Sequence, residues 1–329
     1  MKTAIITGVN GQDGSYLAEL LLEKNYKVIG LVRRSSMEDK KFYNIEHLLS
    51  YPNFIIEHGD LTDASSIWRA IQHHKPDEFY NLAAQSHVGI SFETPESTLS
   101  INATGVLNCL EAIRNLKPDI KFYQASTSEM FGDNISAPQN ENTILSPVSP
   151  YACSKVFAHN LVINYRKAYN IFACSGILFN HESPRRGEQF VTRKITKAAA
   201  RIKLGLQTEL RLGNLDAKRD WGYAKEYVEA MWLMLQQDKP DDYVIGTGKT
   251  RTILDFINCV SEIAGYNLMD YVVIDEKYKR PSEVPLLLAD ANKAMNVLGW
   301  NPKTSLKELA ELMYNSDLDK EKLNVRQKN

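Results

Sequence analysis

Tyr151 and Lys155 are the residues of this sequence best suited to acid–base chemistry. They begin a predicted helix that follows Pro147 and Pro150, and their four-residue spacing places both side chains on one helix face. A lysine ammonium near a phenol favours the phenolate, which brings the phenol pKa toward the range that a general base requires. Such a pair also occurs often by chance, so its interpretation depends on the surrounding motifs.

Thr127 and Glu129 follow the predicted strand Lys121–Ala125. If strand geometry persists, the two side chains point the same way. Beside a phenolate that takes a hydroxyl proton while hydride leaves the same carbon, the carboxylate could take a proton α to the new ketone and give one to a leaving hydroxyl. Taken alone, the two residues are better explained as a helix N-cap with a capping carboxylate.

A glycine-rich turn, Thr7–Gly14, lies between the first predicted strand, Thr3–Thr7, and the first predicted helix. Its spacing is GxxGxxG. Missing side chains let backbone N–H groups approach a pyrophosphate at a helix N-terminus, so the turn predicts dinucleotide binding. The predicted contacts within it are Gly8, Gly11, Gln12, Asp13 and Gly14.

The second predicted strand ends in Arg33, Arg34 and Ser35, where an NAD site usually offers an acidic residue. Two guanidinium groups and a hydroxyl suit the 2′-phosphate of NADP, although a solvated basic loop is the alternative. Further polar or small residues follow the third and fourth strands, where ligands bind in such sheets. They are Asp60, Leu61, Leu82, Ala83, Ala84 and Ser86.

Strands and helices alternate along the first half of the chain, which predicts an α/β fold with a Rossmann-type, doubly wound parallel sheet. We expect residues 1–180 to form the dinucleotide-binding domain, with later segments returning to it. Residues 181–315 are expected to form mainly a smaller, interleaved lobe. The polar segment 316–329 is expected to be a frayed or disordered tail.

The composition of the 329-residue chain is ordinary for a globular protein, with 43% hydrophobic residues. A formal net charge of −1 gives no general attraction to nucleic acid or to an anionic membrane, so neither partner is expected. The four cysteines form no CxxC pair, which predicts neither a disulfide framework nor a metal site and favours the cytoplasm. No apolar run approaches the length of a membrane span, and no signal peptide is recognised.

Nearly the whole chain resembles the GDP-mannose 4,6-dehydratase family, within the extended short-chain dehydrogenases/reductases. The resemblance is carried by TGVNGQDGSYLAELLL, AQSHVGISFETPE, FYQASTSEMFG, ILFNHESPRRGEQFVTRKI and LGNLDAKRDWGYAKEYVEAMWLML. It implies that Tyr151 is the base for the sugar 4-hydroxyl, with Thr127 assisting and Lys155 supporting. It also implies that Glu129 takes the C5 proton and protonates the departing C6 hydroxyl. Hydride would pass from C4 to NADP+ and return to C6, so the cofactor stays bound.

The resemblance also implies further contacts. The cofactor would touch Tyr151, Lys155, His181 and Arg186, and the 181–315 lobe would bind the nucleotide sugar. The loop at Arg185 and Arg186 would reach a neighbouring subunit's cofactor, which implies a homodimer or homotetramer. Arg193 and Lys218 are interpreted as solvated or ion-paired. The residues implied to contact the GDP-sugar are Ser86, Ser128, Glu129, Asn180, Val191, Lys194, Gly213, Arg219, Arg280 and Glu283.

Three positions depart from the family pattern: Ser97 replaces a tyrosine near the cofactor, and Cys153 and Ser154 replace small apolar residues. A few related bacterial enzymes accept GDP-manno-heptose, whose extra carbon lies at the C6 end of the sugar. One added group is worth only ~1–3 kcal/mol in a pocket. GDP-manno-heptose therefore stays open as an alternative substrate.

Two other functions use the same motifs. A nucleotide-sugar 4-epimerase or 4-reductase would need Tyr151 and Lys155 but no carboxylate two residues after the catalytic hydroxyl. An NADP-binding regulatory or scaffold protein would be expected to lack the Tyr–Lys pair or the Thr–Glu pair. The sequence keeps both pairs, which favours the dehydratase.

Overall fold

The computed structural model describes residues 1–34, 42–134, 136–278 and 282–327. Its centre is a sheet of seven strands: β1 (Thr3–Thr7), β2 (Lys27–Val32), β3 (Phe54–His58), β4 (Glu78–Asn81), β5 (Lys121–Thr127), β6 (Ala173–Leu178) and β10 (Asp242–Ile245). Their order is β3-β2-β1-β4-β5-β6-β10, with every neighbouring pair parallel. The inner strands are buried on both faces, which is why β1 reads as a continuous apolar run rather than an alternating one. The edge strand β3 is only partly buried.

Helices cover both faces of this sheet, which confirms the predicted doubly wound α/β fold. One face packs against α1 (Gln12–Glu23) and α8 (Ala224–Leu235). The other packs against α2 (Ala64–His74), α5 (Gly105–Leu116) and α6 (Pro150–Tyr169). Two short helices, α3 (Val88–Glu93) and α4 (Pro95–Leu99), lead by a π-helical turn into α5.

The second half of the chain builds a smaller layer beside the carboxyl ends of the large sheet. Its elements are β7 (Asn180–Glu182), α7 (Val191–Lys203), β8 (Leu210–Leu212), β9 (Lys218–Tyr223), β11 (Thr250–Thr252), α9 (Ile253–Ala264), β12 (Val272–Ile274) and α10 (Leu306–Arg326). The hydrophobic core of this layer lies among α7, α9 and α10. A three-stranded sheet has the order β11-β9-β7, and β8 pairs with β12.

The expectation of a frayed polar tail from residue 316 is wrong, because α10 continues to Arg326. The helix begins with a capping box formed by Ser305 and Glu308. Its polar residues are not all solvated: Asp317 is only 2% exposed, and it pairs with Arg193. Charged residues that pair with a neighbouring helix cannot be distinguished in sequence from solvated ones, so a packed helix was predicted as a tail.

No helix among residues 1–34, 42–134, 136–278 and 282–327 is both long and apolar enough to cross a membrane. Cys109 and Cys174 are buried, Cys153 is exposed, and all are free thiols.

Candidate active site

A cavity of about 1510 Å³ lies between the carboxyl ends of the large sheet and the second layer. It brings together most of the residues predicted from the sequence. Arg34 is exposed and does not line it, whereas Ser35 and Arg280 lie outside the described residues. The predicted residues that line it are Gly8, Gly11, Gln12, Asp13, Gly14, Arg33, Asp60, Leu61, Leu82, Ala83, Ala84, Ser86, Thr127, Ser128, Glu129, Tyr151, Lys155, Asn180, His181, Arg186, Val191, Lys194, Gly213, Arg219 and Glu283.

The glycine turn after β1 has no room for a side chain at Gly8 or at Gly14. Gly8 has φ +66°, and a Cβ there would lie 2.9 Å from the Cα of Ala83. A Cβ on Gly14 would lie 2.4 Å from the carbonyl oxygen of Gly8. Gly11 is the N-cap of α1 and offers no side-chain cap to the first-turn amides. The turn therefore presents backbone N–H groups at a helix N-terminus, which suits an anion such as a pyrophosphate.

Thr7 joins this turn to the loop that follows β4. Its Oγ1 donates to Asn81 Oδ1 at 2.7 Å and accepts from the backbone amides of Leu82 and Ala83, both at 3.0 Å. The next part of the loop is held by Asn102, whose side chain exchanges two hydrogen bonds of 2.9 Å with the backbone of Gln85. Asn102 carries no recognisable motif, so sequence reasoning missed it.

Asp13 and His181 form a partly buried ion pair that ties α1 to β7. The atoms Nε2 of His181 and Oδ2 of Asp13 are 2.9 Å apart, and Nδ1 of His181 donates to the carbonyl of Phe179 at 2.7 Å. Burial alone would raise the pKa of Asp13, but the charge and hydrogen bond of His181 outweigh it and lower that pKa. For His181, burial lowers the pKa, but the charge and hydrogen bond of Asp13 outweigh burial and raise the pKa above its ordinary value.

Gln12 makes a second connection between α1 and the segment after β7. Its Nε2 donates to the carbonyl of His181 at 3.0 Å, and its Oε1 accepts from Ser183 Oγ at 2.8 Å. These bonds occupy the amide of Gln12 with the protein itself. The side chain lines the cavity mainly as a structural link.

Arg33 lies at the carboxyl end of β2, is exposed, and lines the cavity. Asp60 follows β3, and its Oδ1 accepts from the backbone amide of Thr62 at 2.9 Å and from that residue's hydroxyl at 2.8 Å. Leu61 is buried against Gly105, where a Cβ would lie 2.7 Å from that of Leu61. The basic residue therefore lies at the edge of the cavity, and the apolar one forms part of its wall.

Thr127 is the last residue of β5, and the strand geometry does not continue to Glu129. Residues Ser128–Phe131 form a 3-10 turn that Thr127 caps, with Oγ1 accepting from the Glu129 amide at 3.2 Å. The N-cap interpretation is thus correct. Glu129 nevertheless lines the cavity at only 7% exposure, and its charge acts on the phenol of Tyr151. The cap therefore does not turn the carboxylate away from the cavity, where its charge acts on the phenol.

The phenol of Tyr151 does not have the lowered pKa that the sequence predicts. Burial raises its pKa to about 12, Glu129 adds to this, and the Thr127 hydrogen bond and the charge of Arg186 act in the opposite direction. Lys155 lies 5.8 Å from the centroid of the tyrosine ring and donates to the carbonyl of Ala125 at 2.9 Å. Burial lowers the pKa of Lys155 to about 8. The prediction fails because burial outweighs the ammonium, which is bound elsewhere.

Arg186 is the cation that acts on Tyr151 from the second layer. Its Nε lies 3.1 Å from Oε2 of the buried Glu182, and its guanidinium stacks 3.7 Å from the centroid of Phe190. Arg185 turns toward α1, where it pairs with Glu19 at 2.5 Å. Both guanidinium groups are therefore held within their own chain.

The far end of the cavity carries Asn180, Lys194, Arg219 and Glu283. Arg219 donates to Glu283 Oε1 at 2.6 Å and to the carbonyl of Val284 at 2.8 Å, which fixes the guanidinium at the wall. Burial lowers the pKa of Lys194, partly offset by the contact with Tyr278 described next. Within the described residues, the buried Oδ1 of Asn180 has no hydrogen-bond partner. A buried acceptor without a partner is uncommon in proteins, and its place in a residue that lines a cavity is consistent with a binding site.

Sequence reasoning missed two partner residues, Tyr278 and Asp317. Tyr278 stacks on Lys194, with Nζ 3.3 Å from the ring centroid. Arg193, interpreted as solvated or ion-paired, is buried and ion-paired with Asp317. Lys218, interpreted in the same way, is exposed. No local pattern could have identified these partners, because each lies far away along the chain.

Comparison with known proteins adds the family. A sequence profile described as GDP-mannose 4,6 dehydratase matches residues 5–313. GDP-mannose 4,6 dehydratase 1 of Arabidopsis thaliana is 53% identical over an alignment of 328 residues, which covers 97% of this chain and 90% of that protein. The UDP-glucose 4-epimerase of Thermotoga maritima, solved with UDP-glucose, has TM-score 0.85 and 26% identity, covering 98% of this chain and 99% of its own.

A second solved structure, the UDP-glucose 4-epimerase of Thermus thermophilus in complex with NAD, has TM-score 0.83 and 25% identity. The match covers 96% of this chain and 98% of the epimerase. These structures share the fold with this chain, whereas the profile and the plant relative match its sequence over nearly the whole length. The chain therefore belongs to the GDP-mannose 4,6-dehydratase family.

Proposed function

We propose that this chain is a hydro-lyase that converts GDP-mannose to its 4-keto-6-deoxy product. The observation that carries the proposal is the buried carboxylate of Glu129 beside the phenol of Tyr151, in one cavity with the glycine turn. A hydroxyl, a phenol and a carboxylate at one place can move protons at adjacent carbons of one sugar. Family membership supports the same reaction.

NADP is the cofactor we propose, retained through turnover. The side-chain-free turn at Gly8 and Gly14 suits its pyrophosphate, and Arg33 suits a 2′-phosphate at the end of β2. Asp60 and Leu61 would flank the adenine, and Lys155 would hold the nicotinamide ribose. The bound cofactor would accept hydride from C4 of the sugar and return it to C6.

Tyr151 is the proposed base for the 4-hydroxyl of the sugar. Its phenol must lose a proton from a buried position that holds its pKa at about 12. Thr127, which hydrogen-bonds the phenol, and Arg186, which acts by its charge, both favour the phenolate. Both effects act against burial, which remains the larger influence on the pKa of this phenol.

Glu129 is the proposed acid and base for elimination of water. As a carboxylate it takes the proton from C5, and the acid so formed gives that proton to the departing hydroxyl at C6. The 3-10 turn capped by Thr127 fixes its backbone, so the carboxylate does not have to be positioned by the substrate. Its burial excludes water that would compete for the proton.

The second layer is proposed to bind the GDP-sugar, mainly through residues 181–315, as residues 1–180 hold the cofactor. Arg219 and Lys194 supply positive charge for the diphosphate, and Asn180 lines the same space with a side-chain oxygen that has no partner among the described residues. Ser86, Ser128, Val191, Gly213 and Glu283 line the same space. GDP-manno-heptose remains an alternative substrate, since one extra carbon changes binding by only ~1–3 kcal/mol.

We also propose a cytoplasmic homodimer or homotetramer. Arg185 and Arg186 pair with Glu19 and Glu182 of their own chain, so contact of their loop with a neighbouring cofactor stays a prediction of the resemblance. The family resemblance supports the assembly, and the free cysteines suit a reducing compartment.

A 4-epimerase is the second candidate, because the two similar solved structures described above are epimerases. Glu129 separates the two reactions, since epimerisation at C4 requires no proton transfer at C5. We expect Glu129→Gln to lower formation of the 4-keto-6-deoxy product by about 10²- to 10⁴-fold. Glu23→Gln, at an exposed position of α1, is the matched control.

The assay follows loss of water from GDP-mannose and from GDP-manno-heptose by mass, with kcat/KM for each, and inversion at C4 by proton NMR, because C4 epimers have the same mass. An unchanged rate of dehydration in Glu129→Gln would overturn the assignment. A wild-type enzyme that only inverts C4 would favour the epimerase.

A further inference from the structure

Arg193 connects helix α10 to the loop that carries Arg185 and Arg186, here called the arginine loop (residues 183–187). Arg193 lies in the first turn of α7 and is 6% exposed. Its Nε lies 2.7 and 2.9 Å from the two carboxylate oxygens of Asp317, and Nη2 lies 2.6 Å from Oδ1. Its Nη1 donates to the carbonyls of Pro184 at 2.6 Å and Arg186 at 3.0 Å.

The guanidinium therefore makes contacts along two of its edges. One edge is saturated by a carboxylate of α10, and the other holds two backbone carbonyls of the arginine loop. Because the group is planar and rigid, fixing one edge on Asp317 fixes the direction of the other. Asp317 is itself held by Thr196, whose hydroxyl donates to it at 2.7 Å.

A second contact runs in parallel. Lys320, one turn further along α10, donates to the carbonyl of Pro184 at 3.3 Å. Inside the loop, the amide of Arg186 donates to the carbonyl of Ser183 at 3.0 Å. Ser183 in turn bonds Gln12 of α1 at 2.8 Å. The loop is thus held from α10 on one side and from the glycine turn's helix on the other.

We propose that Arg193 and Asp317 are positioning residues, through which α10 holds the arginine loop so that Arg186 stays at the wall of the cavity that Tyr151 also lines. The inference rests on the proposed function, because it assigns Arg186 the task of favouring the Tyr151 phenolate. Neither Arg193 nor Asp317 lines the cavity, so neither touches the reacting atoms. Their effect passes entirely through the backbone of the loop.

Asp317→Asn tests the connection, with Asp319→Asn as the matched control on an exposed part of the same helix. Loss of the carboxylate charge frees the guanidinium, and a small displacement of Arg186 is expected to lower kcat by about 10- to 100-fold. KM for GDP-mannose is expected to stay within about twofold, because Arg219 is held by Glu283 and not by the loop. Asp319→Asn should change neither constant.

Two further variants separate positioning from general destabilisation. Arg193→Lys keeps the charge but not the fork, so kcat should fall nearly as far as in Asp317→Asn. Lys320→Met removes only the weaker contact and gives a smaller loss in a protein that folds normally. Combining Asp317→Asn with Arg186→Met should add little to the effect of Arg186→Met alone, because both changes remove the same interaction.

The inference is overturned if folded Asp317→Asn keeps its kcat, or if its effect multiplies fully with that of Arg186→Met. Amide hydrogen exchange gives a readout that needs no activity: exchange at residues 184–187 should rise in Asp317→Asn and not in Asp319→Asn. If Asp317→Asn does not fold, Arg193→Lys and Lys320→Met carry the same tests. Absence of product from the wild-type enzyme would contradict the proposed function, whereas unchanged exchange would contradict the positioning role.

Discussion

At the glycine-turn end of the cavity, backbone packs against backbone, whereas at the far end charged side chains pair across distant segments. Gly8 and Gly14 leave no space for a single carbon atom. At the far end, Arg219 is instead fixed by the carboxylate of Glu283. Outside the cavity, Arg193 is fixed in the same way by Asp317. A site shaped by backbone is sensitive to added volume, and a site shaped by ion pairs is sensitive to the loss of one charge.

The largest expected effect is at the turn. Gly14→Ala would place a carbon 2.4 Å from the Gly8 carbonyl oxygen and 2.6 Å from the Cα of Val9. Because both contacts are backbone, we expect a loss of about 3 kcal/mol in the free energy of unfolding and loss of cofactor binding. Gly205→Ala is the control, since that glycine has φ +70° but open space around it. Its cost should be only ~1–2 kcal/mol.

Urea denaturation and fluorescence titration with NADP measure both quantities. A Gly14→Ala protein that binds the cofactor normally would contradict the view that this end is shaped by backbone packing.

An intermediate effect is expected from Arg219→Lys at the far end. Lysine keeps the charge but cannot bond Glu283 and Val284 in the geometry of the fork. We expect KM for GDP-mannose to rise about tenfold or more, from loss of roughly 1.5–3 kcal/mol of charge-assisted bonding. Arg251→Lys is the matched control, because Arg251 is the strand partner of Arg219 in β11 but is exposed.

Steady-state kinetics with varied GDP-mannose measure this change. Equal values of KM in the two variants would show that the buried fork of Arg219 does not contribute to substrate binding.

The smallest expected effect concerns the Asp13–His181 pair, which joins the two regions. Asp13 has a lowered pKa, so its contribution to stability is present above the unfolded value of about 4 and is lost as the pH falls through the folded value. His181 has a raised pKa, so its contribution is complete below about 6.5 and is lost as the pH rises through the folded value. The full ion pair therefore stabilises the fold between about pH 4 and 6.5.

Asp13→Asn should cost about 1.5 kcal/mol in the free energy of unfolding at about pH 5.5, and less at about pH 9. Urea denaturation at the two pH values measures the difference, with Asp119→Asn at an exposed position as the control. A cost that is independent of pH would show that the pair acts only by packing.

Sequence patterns predicted the first region well because its residues are local to strand ends. The positions of Gly8, Asp60 and Thr127 follow directly from where β1, β3 and β5 end. Parallel strands bring such ends to one edge, so a linear pattern carries the spatial arrangement. Even the capping interpretation of Thr127 was correct, although it was the alternative to the catalytic one.

The second region could not be predicted in the same way. The partner of Arg193 lies more than a hundred residues further along the chain, in a helix whose polar sequence indicated a frayed tail. Tyr278 is likewise brought to the cavity by tertiary packing, whereas Glu283 was named only through the family resemblance. The prediction of a lowered pKa for Tyr151 was wrong for a related reason, because burial depends on the whole fold and not on the spacing of two residues.

The position of β10 beside β6 has a consequence for synthesis of the chain. Residues Asp242–Ile245 cover the edge of Ala173–Leu178, yet the ribosome makes them only after the whole of β7, α7, β8, β9 and α8. During that interval β6 is an open edge of an unfinished sheet, which is a site where other chains can pair. Conditions that slow translation between residues 179 and 241 lengthen the exposure, and aggregation of the nascent protein should increase with it.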